Sequence, residues 1–177
     1  TAEPAPALAA GNLRLDRLVG ADIRFVTPEQ YRGRNALLQD AAGSDGYVIP
    51  EGGSNALGSW GYVRAVDEIA AQWEDPPSAI ICATGSGGTL AGLAIGLRRR
   101  DQATPVFGVA VCDDAAYFAR IVDRISADAT DRWPALPRVR ARDVNVIEGY
   151  KGRGSALSTA EEMSDIESVA RSSGLIL

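Results

Sequence analysis

The sequence contains no histidine, and Lys151 is its only lysine among 177 residues. Without histidine, no Ser-His-Asp or Cys-His arrangement and no histidine-ligated metal centre can exist within the chain. The two cysteines, Cys82 and Cys112, lie in separate apolar runs and form no Cys-x-x-Cys pair. They read as buried strand thiols rather than a disulfide or a nucleophile. Aromatic residues make up 6% of the chain, and Arg132, Arg138, Arg140 and Arg142 lack the aromatic interleaving that a nucleic-acid surface uses. The formal charge of -5 gives no electrostatic reason to bind nucleic acid. No charge-free run is long enough to cross a bilayer, and the first residues carry neither a basic segment nor an apolar signal core. The expectation is a cytoplasmic chain with no metal, no nucleic-acid partner and no membrane span.

What is abundant is glycine, nineteen residues against nine prolines, in a chain that is 46% apolar. The most ordered cluster lies in residues 79–97, where Ile80-Ile81-Cys82-Ala83 runs into Thr84-Gly85-Ser86-Gly87-Gly88-Thr89 and then into small and apolar residues. This reads as a buried strand, a tight turn and a helix start. Such a turn aims backbone N–H groups and the positive end of a helix dipole at one point, where three hydroxyls can join them to hold a phosphate. A P-loop would need Gly-Lys-Ser/Thr at its end, and a dinucleotide fingerprint would need glycine where Leu90 stands. The remaining readings are a phosphate carried by a larger cofactor, or glycines that only permit a sharp strand-to-helix turn.

Two further glycine clusters also follow apolar runs. Residues 50–61 hold four glycines before a helix whose face is Ala65, Val66, Ile69, Ala70 and Trp73. Ordering so much glycine costs backbone entropy, so this loop lies close either to a ligand or to a neighbouring element. Residues 148–155 form the third cluster, around Tyr150 and Lys151. Strands are expected at 23–26, 47–49, 79–84, 104–111 and 144–147, with a last one starting at 175. Between them come a helix with Leu15, Leu18 and Val19 on one face, capped by Asn12 and closed by Gly20, and a helix from a Thr27–Gln30 capping box to about residue 42. Later helices carry Phe118, Ile121, Val122 and Ile125 on one side, and Met163, Ile166, Val169 and Ala170 on another, the latter capped by Ser158 or Thr159. Asp113 and Asp114 read as helix-start carboxylates rather than a metal pair. Residues 128–142 read as a surface connection. The fold class is α/β, a three-layer, mostly parallel twisted sheet with helices on both faces, whose glycine loops gather at the C-terminal ends of strands.

Four motifs in order resemble one family: Gly11-Asn12-Leu13-Arg14-Leu15-Asp16-Arg17-Leu18-Val19-Gly20-Ala21, Tyr47 to Gly58 followed by Gly61-Tyr62-Val63-Arg64, the Thr84–Thr89 turn, and Gly149-Tyr150-Lys151-Gly152-Arg153-Gly154. The chain resembles the central and later part of the D-cysteine desulfhydrase and 1-aminocyclopropane-1-carboxylate deaminase group, within the tryptophan synthase β-like, fold-type II enzymes that use pyridoxal 5'-phosphate. The resemblance implies that Thr84, Gly85, Ser86, Gly87, Gly88 and Thr89 cradle the cofactor phosphate. It implies that Gly52, Gly53, Ser54 and Asn55 border the cofactor ring, with Asn55 near its 3-oxygen, and that Tyr150 stands at the mouth of the site. Residues 11–45 would belong to a smaller domain that closes over substrate, and 46–177 to a larger, incomplete cofactor domain.

The same resemblance implies no catalytic residue within these 177 positions. The family's Gly-Gly-Asn-Lys segment with the Schiff-base lysine, its Ser-Asn-His carboxylate grip and its Asp-Pro-Val-Tyr motif have no counterpart here. Ser155 and Ser173 stand where the group commonly has tyrosine and glutamate. Lys151, in a loop between glycines, offers neither the desolvation nor the fixed position that imine chemistry requires. The expected whole protein is a homodimeric lyase or deaminase acting on a small amino acid, D-cysteine desulfhydrase-like in the first reading and aminocyclopropane-carboxylate deaminase-like in the second. A non-catalytic binding subunit and an unrelated nucleotide-phosphate binder are the competing readings.

Overall fold

The structure is a computed structural model that describes residues 10–154 and 157–175. Residues 1–9, Ser155 with residue 156, and residues 176–177 of the expected last strand lie outside the described residues. The chain divides into two compact units, Thr1–Ile49 and Pro50–Leu177.

In the first unit, α1 spans Gly11–Leu18, α2 Pro28–Arg32 and α3 Arg34–Ala42. The capping box is present: Thr27 Oγ accepts the Gln30 N–H at 3.2 Å, and Gln30 Oε1 accepts the Thr27 N–H at 2.9 Å. The expected single helix to residue 42 is interrupted at Gly33, whose N–H turns back to the Gln30 carbonyl at 3.0 Å. Asn12 does not cap α1; it lies inside the helix, with Ala10 at the cap position and no side-chain bond there. Leu15, Leu18 and Val19 are exposed rather than buried. The expected strands at 23–26 and 47–49 do not form. A strand persists by exchanging ladder hydrogen bonds with a partner, and neither segment has one among the described residues.

The second unit is built on a small parallel sheet. A short 3₁₀ turn at Glu51–Gly53 leads into α4, Ala56–Ala70. Then come β1 Ile80–Thr84, α5 Gly88–Arg99, β2 Val106–Ala110, α6 Ala115–Arg132, β3 Asn145–Ile147 and α7 Ala160–Ser173. The strands lie in the order β1-β2-β3, with Thr84 opposite Ala110 and Val109 opposite Ile147. One face, carrying Cys82, Thr84, Val106, Gly108 and Ala110, turns toward Leu90 of α5 and the core. The other face is less covered than expected, since Ile81 is 64% exposed.

Packing of α4 on α5 explains glycines that the turn does not need. Gly88, Gly92 and Gly96 recur every four residues and form one stripe along α5. A Cβ added at Gly92 would stand 2.6 Å from Tyr62 Cβ and press on the Ser59 carbonyl; one at Gly96 would meet Val66 Cγ2 at 2.8 Å. Opposite this stripe, α4 buries Ala56, Ser59, Val63 and Val66, so its inward face starts earlier than the one expected from residues 65–73.

Two expectations for the later chain are corrected. Residues 128–142 are not a bare surface connection: α6 runs on to Arg132, and Leu136 and Val139 are buried. The segment is fastened to α6 by the Val139 N–H to Ser126 Oγ (2.8 Å), the Ala141 N–H to Asp123 Oδ2 (3.1 Å) and an Arg138–Asp123 ion pair. In α7 the Thr159–Glu162 capping box forms as expected, with bonds of 3.2 and 2.6 Å, but Met163 and Val169 remain exposed. No residue of α7 is buried, because no described element packs closely on its apolar face.

Candidate functional site

The strand-turn-helix reading of residues 79–97 holds. Gly87 takes a left-handed φ of 86° at the cap of α5, and Gly88 begins the helix. The first i to i−4 bond of α5 runs from the Ala91 N–H to the Gly87 carbonyl at 2.9 Å, so the Thr89 and Leu90 N–H groups precede the ladder. Their dipoles point out of the helix end, where negative charge is favoured. This donor set suits a phosphate monoester.

The second glycine loop reaches this same point. Gly52 and Gly53 adopt left-handed φ values of 66° and 61°, which bring Ser54 against the turn. The Gly88 N–H donates to Ser54 Oγ at 3.1 Å, and the Ser54 hydroxyl donates to Ser86 Oγ at 2.7 Å. The backbones are close: a Cβ on Gly88 would lie 3.1 Å from Ser54 Cα, and one on Gly52 would lie 2.9 Å from Ser86 Cβ. Of the two alternatives for residues 50–61, the neighbouring element is the one observed: the loop lies against the turn.

Asn55 follows immediately as the cap of α4, its Oδ1 accepting the Gly58 N–H at 2.7 Å. The cap uses the side-chain oxygen, and the amide nitrogen is the remaining donor. Thr84 is placed differently from Ser86 and Thr89. It is 2% exposed, with Oγ1 beside Gly108 and 4.0 Å from the Cys82 sulfur, so its hydroxyl serves the interior of the sheet and not the turn. Of the three hydroxyls expected at the turn, Ser86 and Thr89 remain.

Beyond β2 the structure places a group that the sequence reading put elsewhere. Cys112 is neither in a strand nor buried; it is exposed, two residues past the end of β2. Because Thr84 is in register with Ala110, Cys112 comes beside the turn, and its thiol donates to the Gly85 carbonyl at 3.2 Å. Partial desolvation and the Asp113 carboxylate raise the thiol pKa, with Glu51 adding to them, while Lys151 acts in the opposite direction. Glu148 begins the third loop and accepts the Ala115 N–H at 3.1 Å, tying that loop to the start of α6. There Asp114 caps the helix through the Tyr117 N–H at 2.6 Å, as the sequence implied. Tyr150 and Lys151 are exposed. Among the described residues no acidic, cysteine or histidine cluster could hold a metal ion.

A cavity of about 280 Å³ lies elsewhere, at the N-terminal ends of β2 and β3, lined by Val106, Val144, Asn145 and the end of α5. At its edge Arg98 bonds Asp143 at 3.1 Å and the Arg138 carbonyl at 2.6 Å. The convergent donors are at the opposite end of the sheet, where parallel α/β sheets bind ligands.

Comparison with known proteins agrees with this geometry. The model of the family described as "Pyridoxal-phosphate dependent enzyme" matches residues 2–177. A mitochondrial bifunctional D-cysteine desulfhydrase/1-aminocyclopropane-1-carboxylate deaminase from Arabidopsis thaliana is 38% identical over 180 residues, covering 94% of this chain and 43% of that protein. A putative 1-aminocyclopropane-1-carboxylate deaminase from Thermotoga maritima is 38% identical over 175 residues, covering 94% and 55%. A crystal structure of an ACC deaminase homologue superposes with a TM-score of 0.78 at 31% identity, covering 94% of this chain and 52% of that one. The chain spans about half the length of the curated relatives it matches. The resemblance carried by the glycine motifs is borne out in these relatives, and the chain belongs to the pyridoxal-phosphate dependent enzyme family.

Proposed function

We propose that these residues form the cofactor-binding portion of a pyridoxal-phosphate-dependent lyase or deaminase acting on a small amino acid. The observation that carries the reading is the junction of two glycine loops at the start of α5, where Ser54, Ser86 and Gly88 join beside the Thr89 and Leu90 N–H groups. Gly85, Ser86, Gly87 and Thr89 would hold the cofactor phosphate through backbone N–H groups and the Ser86 and Thr89 hydroxyls, while Gly88, whose N–H is taken by Ser54, would form the close wall of the cradle. Gly53, Ser54 and Asn55 would border the ring, the Asn55 amide nitrogen being the donor left for its 3-oxygen. Tyr150, 74% exposed, would stand on the substrate side. When bound, pyridoxal phosphate supplies an electron sink for charge developing at the substrate α-carbon. The amine that holds it covalently would come from a lysine outside these 177 residues, since Lys151 is exposed and flanked by Gly149 and Gly152.

For the whole protein, the first reading is conversion of D-cysteine and water to pyruvate, sulfide and ammonia. The second is opening of 1-aminocyclopropane-1-carboxylate with water to give a 2-oxo acid and ammonia, which the name of the Thermotoga relative favours. The test is borohydride reduction of the full-length protein with pyridoxal phosphate, followed by peptide mapping and assays with both substrates. One reduced adduct away from Lys151, with sulfide released from D-cysteine, is the expected result. An adduct on Lys151, or no adduct at all, would refute the assignment. An adduct with turnover of only the cyclopropane substrate would select the second reading.

A further inference from the structure

We propose that Ser54 is a positioning residue that acts through Ser86 to orient a hydroxyl proton toward the cofactor phosphate. The inference rests on the reading of the Gly87 turn as the phosphate site. The direction of the hydrogen-bond chain follows from its first member: a backbone N–H can only donate, so Ser54 Oγ accepts from Gly88 at 3.1 Å. The Ser54 proton then has two acceptors within reach, Ser86 Oγ at 2.7 Å and the Gly52 carbonyl at 3.4 Å. The shorter bond goes to Ser86. Having accepted, the Ser86 oxygen keeps its own proton for another acceptor. An anion at the start of α5 needs that donor, and a hydroxyl with its lone pairs turned to it would repel it.

The relay is held by more than side-chain rotamers. Residue 88 has no room for a Cβ beside Ser54 Cα, and residue 52 has none beside Ser86 Cβ, so the two loops are closely apposed on both sides of the serine pair. Each bond in the series Gly88 N–H, Ser54, Ser86 polarises the next, which strengthens the terminal donor. Ser54 therefore influences the phosphate without touching it, and it links the phosphate turn to Asn55 one residue further on.

The test measures equilibrium binding of pyridoxal phosphate, and separately of pyridoxal without its phosphate, to full-length wild type, Ser54→Ala, Ser86→Ala and the double variant, by quenching of tryptophan fluorescence. Each single substitution is expected to weaken pyridoxal phosphate on the order of tenfold, and the double variant by about the same tenfold, because all three remove or disorient the same Ser86 donor. Because Ser54 also borders the ring, pyridoxal should weaken clearly less than pyridoxal phosphate. If Ser54→Ala weakens both ligands equally, or leaves pyridoxal phosphate binding at the wild-type level, or adds its full effect to that of Ser86→Ala, the relay is wrong while the phosphate site stands. If Ser86→Ala leaves the difference between the two ligands unchanged, the phosphate reading of the turn fails, and the relay fails with it.

Discussion

Replacing Gly92 by alanine tests the account of the α4–α5 interface, because helix propensity and packing predict opposite signs. In an exposed helix interior the change would stabilise by roughly 0.8–1.0 kcal/mol. At Gly92 the new methyl would stand 2.6 Å from Tyr62 Cβ and against the Ser59 carbonyl, whereas ordinary contact begins at 3.4 Å. Helix backbone cannot yield by rotating a side chain, so α4 and α5 must part. Opening a packed interface by ~0.5–1 Å forfeits a quarter to a half of each dispersion contact, and the contacts at risk include the buried Val63, Val66 and Leu93. Overpacking of this kind costs about 1–3 kcal/mol. Gly61 in α4 is the control: its φ is not positive and nothing lies within 4 Å of an added Cβ. Urea denaturation followed by circular dichroism should show Gly92→Ala destabilised by about 1–3 kcal/mol and Gly61→Ala stabilised by up to ~1 kcal/mol. Equal stabilisation of both would refute the close approach of the two helices.

Asp67 pairs with Arg99 and with Arg100 at 3.1 Å. Partial desolvation raises its pKa, but hydrogen bonds and charge from Arg100 and Arg99 outweigh it and leave the carboxyl below its ordinary value of 3.8. A lowered folded-state pKa means that the ionised carboxylate stabilises the fold above the ordinary value, and that this contribution fades as pH falls through the folded one. Melting temperatures of Asp67→Asn should therefore lie below wild type at neutral pH and converge on it below about pH 4, the unperturbed range of aspartate; a gap that widens in acid would contradict the pairing. Removing the α6 cap by Asp114→Ala should cost about 1 kcal/mol in the same denaturation assay, and an unchanged midpoint would show that the Tyr117 N–H bond contributes nothing.

Elements with self-contained signals were legible in the sequence. The Thr27, Asp114 and Thr159 caps form because each needs only residues three positions apart. The apolar runs at 80–84, 106–110 and 145–147 became strands because they have one another as partners. The runs at 23–26 and 47–49 carry similar local composition and fail because no described strand pairs with them. Partnership is a long-range property that local pattern does not encode. The same holds for α7, whose apolar positions share a face as expected but are not buried, Met163 and Val169 staying exposed and Ile166 and Ala170 half-buried, in a chain spanning about half the length of its matched relatives.

For the site, the sequence singled out the glycine loops but did not show how their hydroxyls are divided. Thr84, Ser86 and Thr89 are equivalent in a string of polar residues. Strand alternation separates them, because Thr84 is still in β1 and its side chain must take the buried face with Cys82, while Ser86 is past the end of the ladder and turns toward Ser54. Cys112 was misplaced for a related reason. An apolar run does not show where its ladder ends, and the register of Thr84 with Ala110 puts the cysteine beyond it, beside Gly85. The glycines at 52 and 88 gained their explanation only from each other's loops, since what excludes a side chain at each is a serine more than thirty residues away in sequence. If the two loops act as one anchor, Gly88→Ala should impair pyridoxal phosphate binding more than Ser54→Ala does. A Cβ there meets Ser54 Oγ at 2.6 Å as well as Ser54 Cα, so it separates the loops where Ser54→Ala removes only a hydrogen bond. Equal binding by the two variants would mean that the hydroxyl alone, and not the contact between backbones, holds the anchor together.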